Sequence, residues 1–505
     1  MKRIDRDVLI IGSGFGAAAP ALRMSRAGFD VTVLEKGPHI GPFDFKQTQD
    51  PKYLLRYVHG LSGDNVAFTY AEGLGGGSGF YEMVSLRAPS LAFEQVDDSG
   101  RPLWPECVDR EALEPYYELA EEMLLVQQLD WERIPKTGLV FALLMKNLGY
   151  SCDRCRYAVS GCVGSGYCVT GCVYGAKQSL HVNYLPEAED AGASVLTGVE
   201  ALEIRPSGGP HRGGDSGKLS RVPFRYEVAC RRSDGSTALF RARVLILAAG
   251  TVGTAALLLR SRKNLPSLSD QVGRNISFNG SIKVAGLLPD DLPEGDMFSG
   301  ISHPGVISYE FLESHGITIA PVKPLPLQAV AAARLRLEGD GRSPTHWGES
   351  NVKLMKSFRR RVIALLALGL TPPTAELVLH KGKVLPRLEL TDGIRSYSRS
   401  TKELLHSILS RNGCRLLEAQ FLDGDGAPHE DLFFSTAHQV GSCRMAGSAE
   451  HGAVDAQGRV FGYPGLYVSD GAAVPGSLAV NSSLTILANA ERIAAGLVAR
   501  YQPGE

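Results

Sequence analysis

Apolar positions in this chain fall into short runs punctuated by glycine, and the first run is the most informative. Asp7 to Ile11 (DVLII) is a continuous, branched apolar stretch, the pattern of a strand covered on both faces. Gly12-Ser13-Gly14-Phe15-Gly16-Ala17 follows at once, then a helix-compatible stretch to Ala27, a stop at Gly28, a second strand over residues 30–34, and Glu35. This order of strand, turn, helix and strand is the βαβ unit of a dinucleotide fold. A second glycine-rich loop covers 73–79, and Leu113, Tyr116, Leu119, Met123 and Leu124 predict a helix within 109–127. Strands are predicted near 194–204, 224–230 and 238–249, the last running through Ala249-Gly250 into a helix to Arg260. The glycine-rich stretch 206–218 reads as a hairpin tip without chemistry. Beyond residue 280 the signals weaken. Runs at 362–369, 376–380 and 384–390 predict an antiparallel sheet with a turn at 380–383, and helices are predicted at 401–411 and from Thr485 to about Arg500.

In the first loop, Gly12 permits the tight turn, Gly14 lets a pyrophosphate approach the backbone, and Ala17 is small enough for helix-on-strand packing. The phosphates would then meet the free N–H groups of the helix N-terminus. Glu35, at the end of the second strand, is placed to accept from an adenosine ribose. This unit alone does not separate FAD from NAD(P). Sheet-like pieces recurring at 240–250 and 460–470 favour a larger cofactor, which the 73–79 loop would help to wrap.

Composition narrows the function classes. Lys+Arg 53 against Asp+Glu 54 leaves no basic excess for nucleic acid. No run approaches the ~18 apolar residues a membrane span needs. The charged N-terminus enters a strand directly, without a secretory signal pattern, so a cytoplasmic location is expected. At 505 residues with 44% hydrophobic content, two domains are expected.

The last seventy residues carry the most specific motifs. His438-Gln439-Val440-Gly441-Ser442-Cys443-Arg444-Met445, Gly465 to Gly471, Val474-Pro475-Gly476-Ser477 and Asn481 resemble the glucose–methanol–choline (GMC) flavoprotein oxidoreductases, most closely their cholesterol-oxidase-like branch. The likeness extends to Gly73–Ser78, to 175–185 and to 247–253, and is thinnest over 281–430. The resemblance implies FAD as cofactor and oxidation of an alcohol to a carbonyl, with hydride passing to flavin N5. It implies His438 as the base and Asn481 as its polar partner. It further implies cofactor contacts from Gly75, Gly76, Gly77, Ser78, Ala249, Gly250 and Gly471, where backbone N–H groups would face N1 of the ring. Asp470 has two readings, a turn-capping acid or a flavin-ribityl contact. Two departures weaken a steroid reading. No acid stands in Ala320-Pro321-Val322-Lys323, aligned by 324–326, where that branch carries a glutamate, and Tyr81 replaces its asparagine.

Five of nine cysteines lie within 152–172. Cys162, Cys168 and Cys172 sit on a glycine-rich loop at spacings that resemble GMC dehydrogenases carrying an iron–sulfur cluster. That cluster is the expected second cofactor. A zinc site extended by Cys152 and Cys155, a disulfide, and plain reduced thiols stay open beside it. A cluster would imply a dehydrogenase with a protein or quinone acceptor. Lys356 and Arg359 to Arg361 read as a solvated charged face.

The expected architecture is α/β: a Rossmann-like FAD-binding domain from 1–95, 150–280 and 431–505, with an inserted α+β substrate domain, built on an antiparallel sheet, from 96–149 and 281–430. The expected substrate is a small-molecule alcohol, hydrophobic or ring-containing. The alternatives are redox-neutral flavin chemistry on the same fold, as in an isomerase or lyase, and a non-catalytic electron-transfer subunit.

Overall fold

The N-terminal apolar run becomes strand Lys2–Ile11, which pairs in parallel with Thr237–Leu247 on one side and Val31–Leu34 on the other. The structure is a computed structural model describing residues 2–48, 50–208, 216–296, 299–301, 305–323, 335–337, 349–419 and 433–503. Part of the 206–218 turn and the 324–326 alignment anchor lie outside those residues. Val8 to Ile10 and Val244 to Leu247 are wholly excluded from solvent, as a strand covered on both faces requires. Ser194–Leu196 pairs in parallel with Val31–Leu34, and Leu466–Val468 with the last residues of Thr237–Leu247. Five parallel strands therefore end on one edge, and the loops after them lie where ligands bind in open α/β sheets. Tyr226–Arg232 and Val199–Pro206 extend the sheet antiparallel. The predicted strand at 194–204 is two strands, because Gly198 turns the chain at φ 67°.

Helix Phe15–Arg26 crosses back between the first two strands and packs against helices Tyr184–Asp190 and Ser483–Arg500. Ala17, Ala18, Ala19 and Ala21 are fully buried, so small side chains set how closely this helix approaches. The 96–149 segment touches both parts of the molecule. Its helix Glu114–Met123 lies on Ser483–Arg500 through the 2.8 Å bond between the Tyr117 and Thr485 hydroxyls, whereas Lys136–Asn147 lies on strand Ile317–Pro321. The first of these helices is shorter than predicted because Pro115 fixes its start.

The three runs expected to form one antiparallel sheet are divided between two. Val362–Gly369 lies in a five-stranded antiparallel sheet ordered Ile317–Pro321, Val362–Gly369, Ile282–Leu287, Arg415–Ala419 and Leu335–Leu337, whereas the hairpin 375–388 belongs to another sheet, because 362–369 finds its partners at 282–287 and 317–321 instead. The helix backing the five-stranded sheet spans Asp392–Arg411, nine residues longer than predicted, and Thr391 caps it by accepting from the Ile394 N–H. A four-stranded sheet joins the two parts, ordered Lys383–Leu388, Ala375–His380, Arg274–Ser277 and Val440–Ser442. It fixes the strand after His438 against the central segment. The basic run ends helix Glu349–Arg361 on the surface, where Arg359 pairs with Asp296 at 2.9 Å. Among the described residues no helix is long and apolar enough to cross a membrane.

Candidate active site at the carboxyl edge of the parallel sheet

The two glycine loops meet face to face. Gly12 turns at φ 100°, and a Cβ there would lie 2.3 Å from the Ala248 carbonyl oxygen. Gly16 is pressed against Asp470, where a Cβ would come within 2.4 Å of the Asp470 Cβ. Gly14, by contrast, faces open space, with the Gly76 Cα as its nearest neighbour at 4.0 Å, and Gly77 and Gly250 have nothing within 4 Å. Helix Phe15–Arg26 has no side-chain cap and no acid in its first turn. Open glycine backbone beside an uncapped helix N-terminus is a cradle suited to a pyrophosphate. Gly75 donates its N–H to Ser13, and Ser78 bonds the Gly75 carbonyl and the Leu180 N–H, tying this loop to the 177–180 segment.

Two predicted acids are already committed to the chain. Glu35 accepts from the Ser13 N–H and hydroxyl and from the Gly37 N–H, which leaves it one further lone-pair position; burial raises its pKa. Asp470 accepts from the Gly250 N–H at 2.7 Å, the Thr254 hydroxyl at 2.6 Å and the Ala472 N–H at 2.9 Å. Its carboxylate thus caps the Gly250–Ser261 helix and its own turn, while burial pushes its pKa up to about 6. Ala249 and Gly250 are held by this arrangement at the mouth of the sheet, and Gly471 packs against Ile486 and Thr251.

His438 and Asn481, 43 residues apart, converge with Nδ2 of Asn481 3.0 Å from Nε2 of His438. The loop carrying His438 is lashed to the same edge. Thr251 donates to the Gln439 carbonyl, Gly441 to the Gly471 carbonyl, Ser442 to the Thr251 carbonyl, and Cys443 to the Ala472 carbonyl. With the Asn481 amide donating to Nε2, the ring proton sits on Nδ1, which is buried without a partner. Burial first, and the Lys283 ammonium second, lower the His438 pKa to about 4, so the imidazole is neutral and able to accept a proton at neutral pH.

Sequence reasoning missed two residues here. Asn279 is fully buried and holds the loop before Asn481, accepting from the Leu478 N–H at 2.7 Å and the Ala479 N–H at 3.1 Å and donating to the Val480 carbonyl at 2.8 Å. Its signal was the Asn279-Gly280 pair just after the short strand Arg274–Ser277, a turn pattern with both residues at positive φ. Lys283 was the other, a lone cation inside the apolar strand Ile282–Leu287.

The cysteine expectation is corrected. All nine cysteines are free thiols, and among the described residues no three His, Cys, Asp or Glu side chains group to hold a metal ion. Cys162, Cys168 and Cys172 do line one cavity, but its volume is ≈ 10 Å³, room for about one water. Lys177 also lines it, its ammonium bonded to the Gly79, Tyr81 and Cys168 carbonyls. So small a space, with no such group of side chains among the described residues, does not fit an iron–sulfur cluster.

Family models described as GMC oxidoreductase match residues 7–278 and 392–490. A Mycobacterium tuberculosis cholesterol oxidase is 29% identical over 97% of this chain and 90% of its own length. An Arabidopsis thaliana long-chain-alcohol oxidase, FAO4B, is 25% identical over 99% of this chain and 68% of its own. In three dimensions, a formate oxidase from Aspergillus oryzae superposes with a TM-score of 0.69 over 99% of both chains at 14% identity, a likeness of fold. The chain belongs to the GMC oxidoreductase family.

Proposed function

We propose that this enzyme oxidises an alcohol to the carbonyl compound at the carboxyl edge of the parallel sheet. The observation that carries this reading is the 3.0 Å approach of His438 and Asn481 inside loops tied to 250–251 and 470–472. FAD, when bound, supplies the two-electron acceptor for the hydride that leaves the carbinol carbon. Gly14, Gly77, Gly250 and the N-terminus of Phe15–Arg26 would hold its phosphates, Glu35 its ribose end, and Gly471 its ring. The substrate hydroxyl exchanges the His438–Asn481 bond for two of its own, donating to Nε2 of His438 and accepting from Nδ2 of Asn481. The hydroxyl proton passes to Nε2 as the hydride departs, so the alcohol gives up two electrons and two hydrogens. Neutrality of the imidazole well below pH 7 keeps it ready for that proton.

Relatives named cholesterol oxidase and long-chain-alcohol oxidase support an alcohol with an apolar body. Their oxidase names support dioxygen as the electron acceptor, in place of the protein or quinone partner that the cysteine spacing implied. The test is anaerobic flavin reduction in the FAD-loaded enzyme over a panel of alcohols. At least one alcohol should bleach the flavin stoichiometrically, and His438→Gln should slow that bleaching by about 10²–10⁴-fold at unchanged flavin content. Undiminished bleaching in the variant, or none with any alcohol, overturns the reading. In air, one peroxide per carbonyl formed is expected.

A further inference from the structure

Lys283 stands in the middle of the antiparallel sheet, on strand Ile282–Leu287, and its neighbours make it unusual. Directly across on the same face is Leu366, and beyond that Ala320, both buried. Its side chain remains accessible to solvent while the ammonium is desolvated enough to bring its pKa down to about 8. The ammonium lies against the segment that carries His438, donating to the Ser435 carbonyl at 2.8 Å and weakly to the Ser281 and Ser435 hydroxyls. Ser435 is three residues before His438, and the cation is near enough to disfavour protonation of that imidazole. Among the described residues no carboxylate pairs with Lys283; its hydrogen-bond partners are all neutral oxygens. A desolvated cation with neutral partners lacks the counter-charge that normally offsets its desolvation.

We propose that Lys283 is the specificity-determining residue beside the His438–Asn481 pair, and that it binds a carboxylate carried by the substrate a few bonds from the carbinol carbon. The inference rests on the alcohol-oxidising reading and narrows its substrate class to alcohols with an apolar body and one acidic group. The reach is set by the chain: three residues separate Ser435 from His438, at most about 10 Å. The apolar Leu366 and Ala320 beside the cation suit an aliphatic or aromatic spacer.

The experiment uses the FAD-loaded enzyme and two isosteric probes, 4-(hydroxymethyl)benzoate and 4-methylbenzyl alcohol. Wild type should favour the acid in kcat/KM, and Lys283→Met should shift the acid-to-neutral ratio against the acid by about 10- to 100-fold, the range of a charge-assisted hydrogen bond. Lys283→Arg, which keeps the charge, should restore most of the preference. Benzoate, which has no carbinol to oxidise, supplies a second readout. It should perturb the flavin absorbance of wild type at millimolar concentration and of Lys283→Met only at ten or more times that. A neutral alcohol preferred by wild type, or both probes impaired alike in Lys283→Met with benzoate binding unchanged, overturns the proposal. If no alcohol bleaches the flavin while benzoate binding still depends on Lys283, the oxidation reading fails and the anion site stands.

Discussion

Asn279 shows how much one buried amide can organise. It occupies φ 56°, where asparagine is tolerated and alanine strained, and it satisfies two N–H groups and one carbonyl of the 478–480 loop. Asn279→Ala leaves those three groups unpaired in a buried site, at about 1–3 kcal/mol each less whatever water recovers. An unfolding free energy lower by about 3 kcal/mol or more is expected in urea titration. A slower flavin reduction should accompany it, because Asn481 loses the loop that aims it. Glu82 offers a second test at this scale. Its Oε1 is buried without a partner, and burial raises its pKa from 4.5 to about 7 against the pull of Lys323 and Lys177. The folded state therefore keeps a proton that the unfolded chain releases above 4.5, so its contribution is fully present below that pH and is lost as pH rises through about 7. Glu82→Gln removes this titration. The variant should gain on wild type across that window, by up to about 3 kcal/mol, in unfolding free energies measured pH by pH. A difference that stays flat from pH 4.5 to 7 refutes the assignment.

Between elements, the strongest polar tie is a buried carboxylate shared by three helices. Glu491, on Ser483–Arg500, receives Nε and Nη2 of Arg23 from Phe15–Arg26 at 2.8 and 2.9 Å, and the Tyr184 hydroxyl from Tyr184–Asp190 at 2.7 Å. Removing one partner of such a pair leaves an uncompensated charge. Glu491→Ala should lower stability by about 3–5 kcal/mol, and Glu491→Gln, which keeps the shape and one acceptor, by less; calorimetry of the two variants orders them. This scale also shows where sequence pattern stops. The βαβ unit, the closing helix and the 362–390 strands were legible because their periodicity is local. Helix Asp392–Arg411 was read nine residues short because Arg395, Ser396, Ser398, Arg399 and Ser400 in its first turns are polar and hide the apolar stripe. The sheet in which 274–277 lies between 375–380 and the 440–442 strand after His438 was illegible, since these partners are far apart in sequence and 274–277 and 440–442 are very short.

At the scale of the molecule, the proposed cofactor cleft belongs to no single stretch of chain. Residues 12–14, 35, 75–77, 249–250 and 470–471 arrive from five separate segments; the parallel strands align all but 75–77, which Ser13 holds through the Gly75 N–H. His438 and Asn481 were readable because specific motifs carried them. Lys283 and Asn279 were not, because what each does depends on partners about 150 and 200 residues away. A cleft assembled this way couples cofactor binding to global stability, since unfolding any contributing segment destroys it. The apoprotein midpoint should therefore climb with added FAD, gaining about 2.7 kcal/mol at a hundredfold excess over Kd and about 4.1 at a thousandfold. Gly14→Ala separates this linkage from ordinary packing. Its methyl would stand 4.0 Å from Gly76, an ordinary contact at an unstrained φ of −77°, so the apoprotein midpoint should hold. The same methyl enters the open space between the glycine loops, so the FAD concentration needed for a given midpoint should rise about tenfold or more, the effect of about 1.4 kcal/mol of lost binding. Scanning calorimetry across FAD concentrations reads both quantities at once. An apoprotein midpoint that falls with the affinity unchanged would place the cofactor phosphates away from these loops.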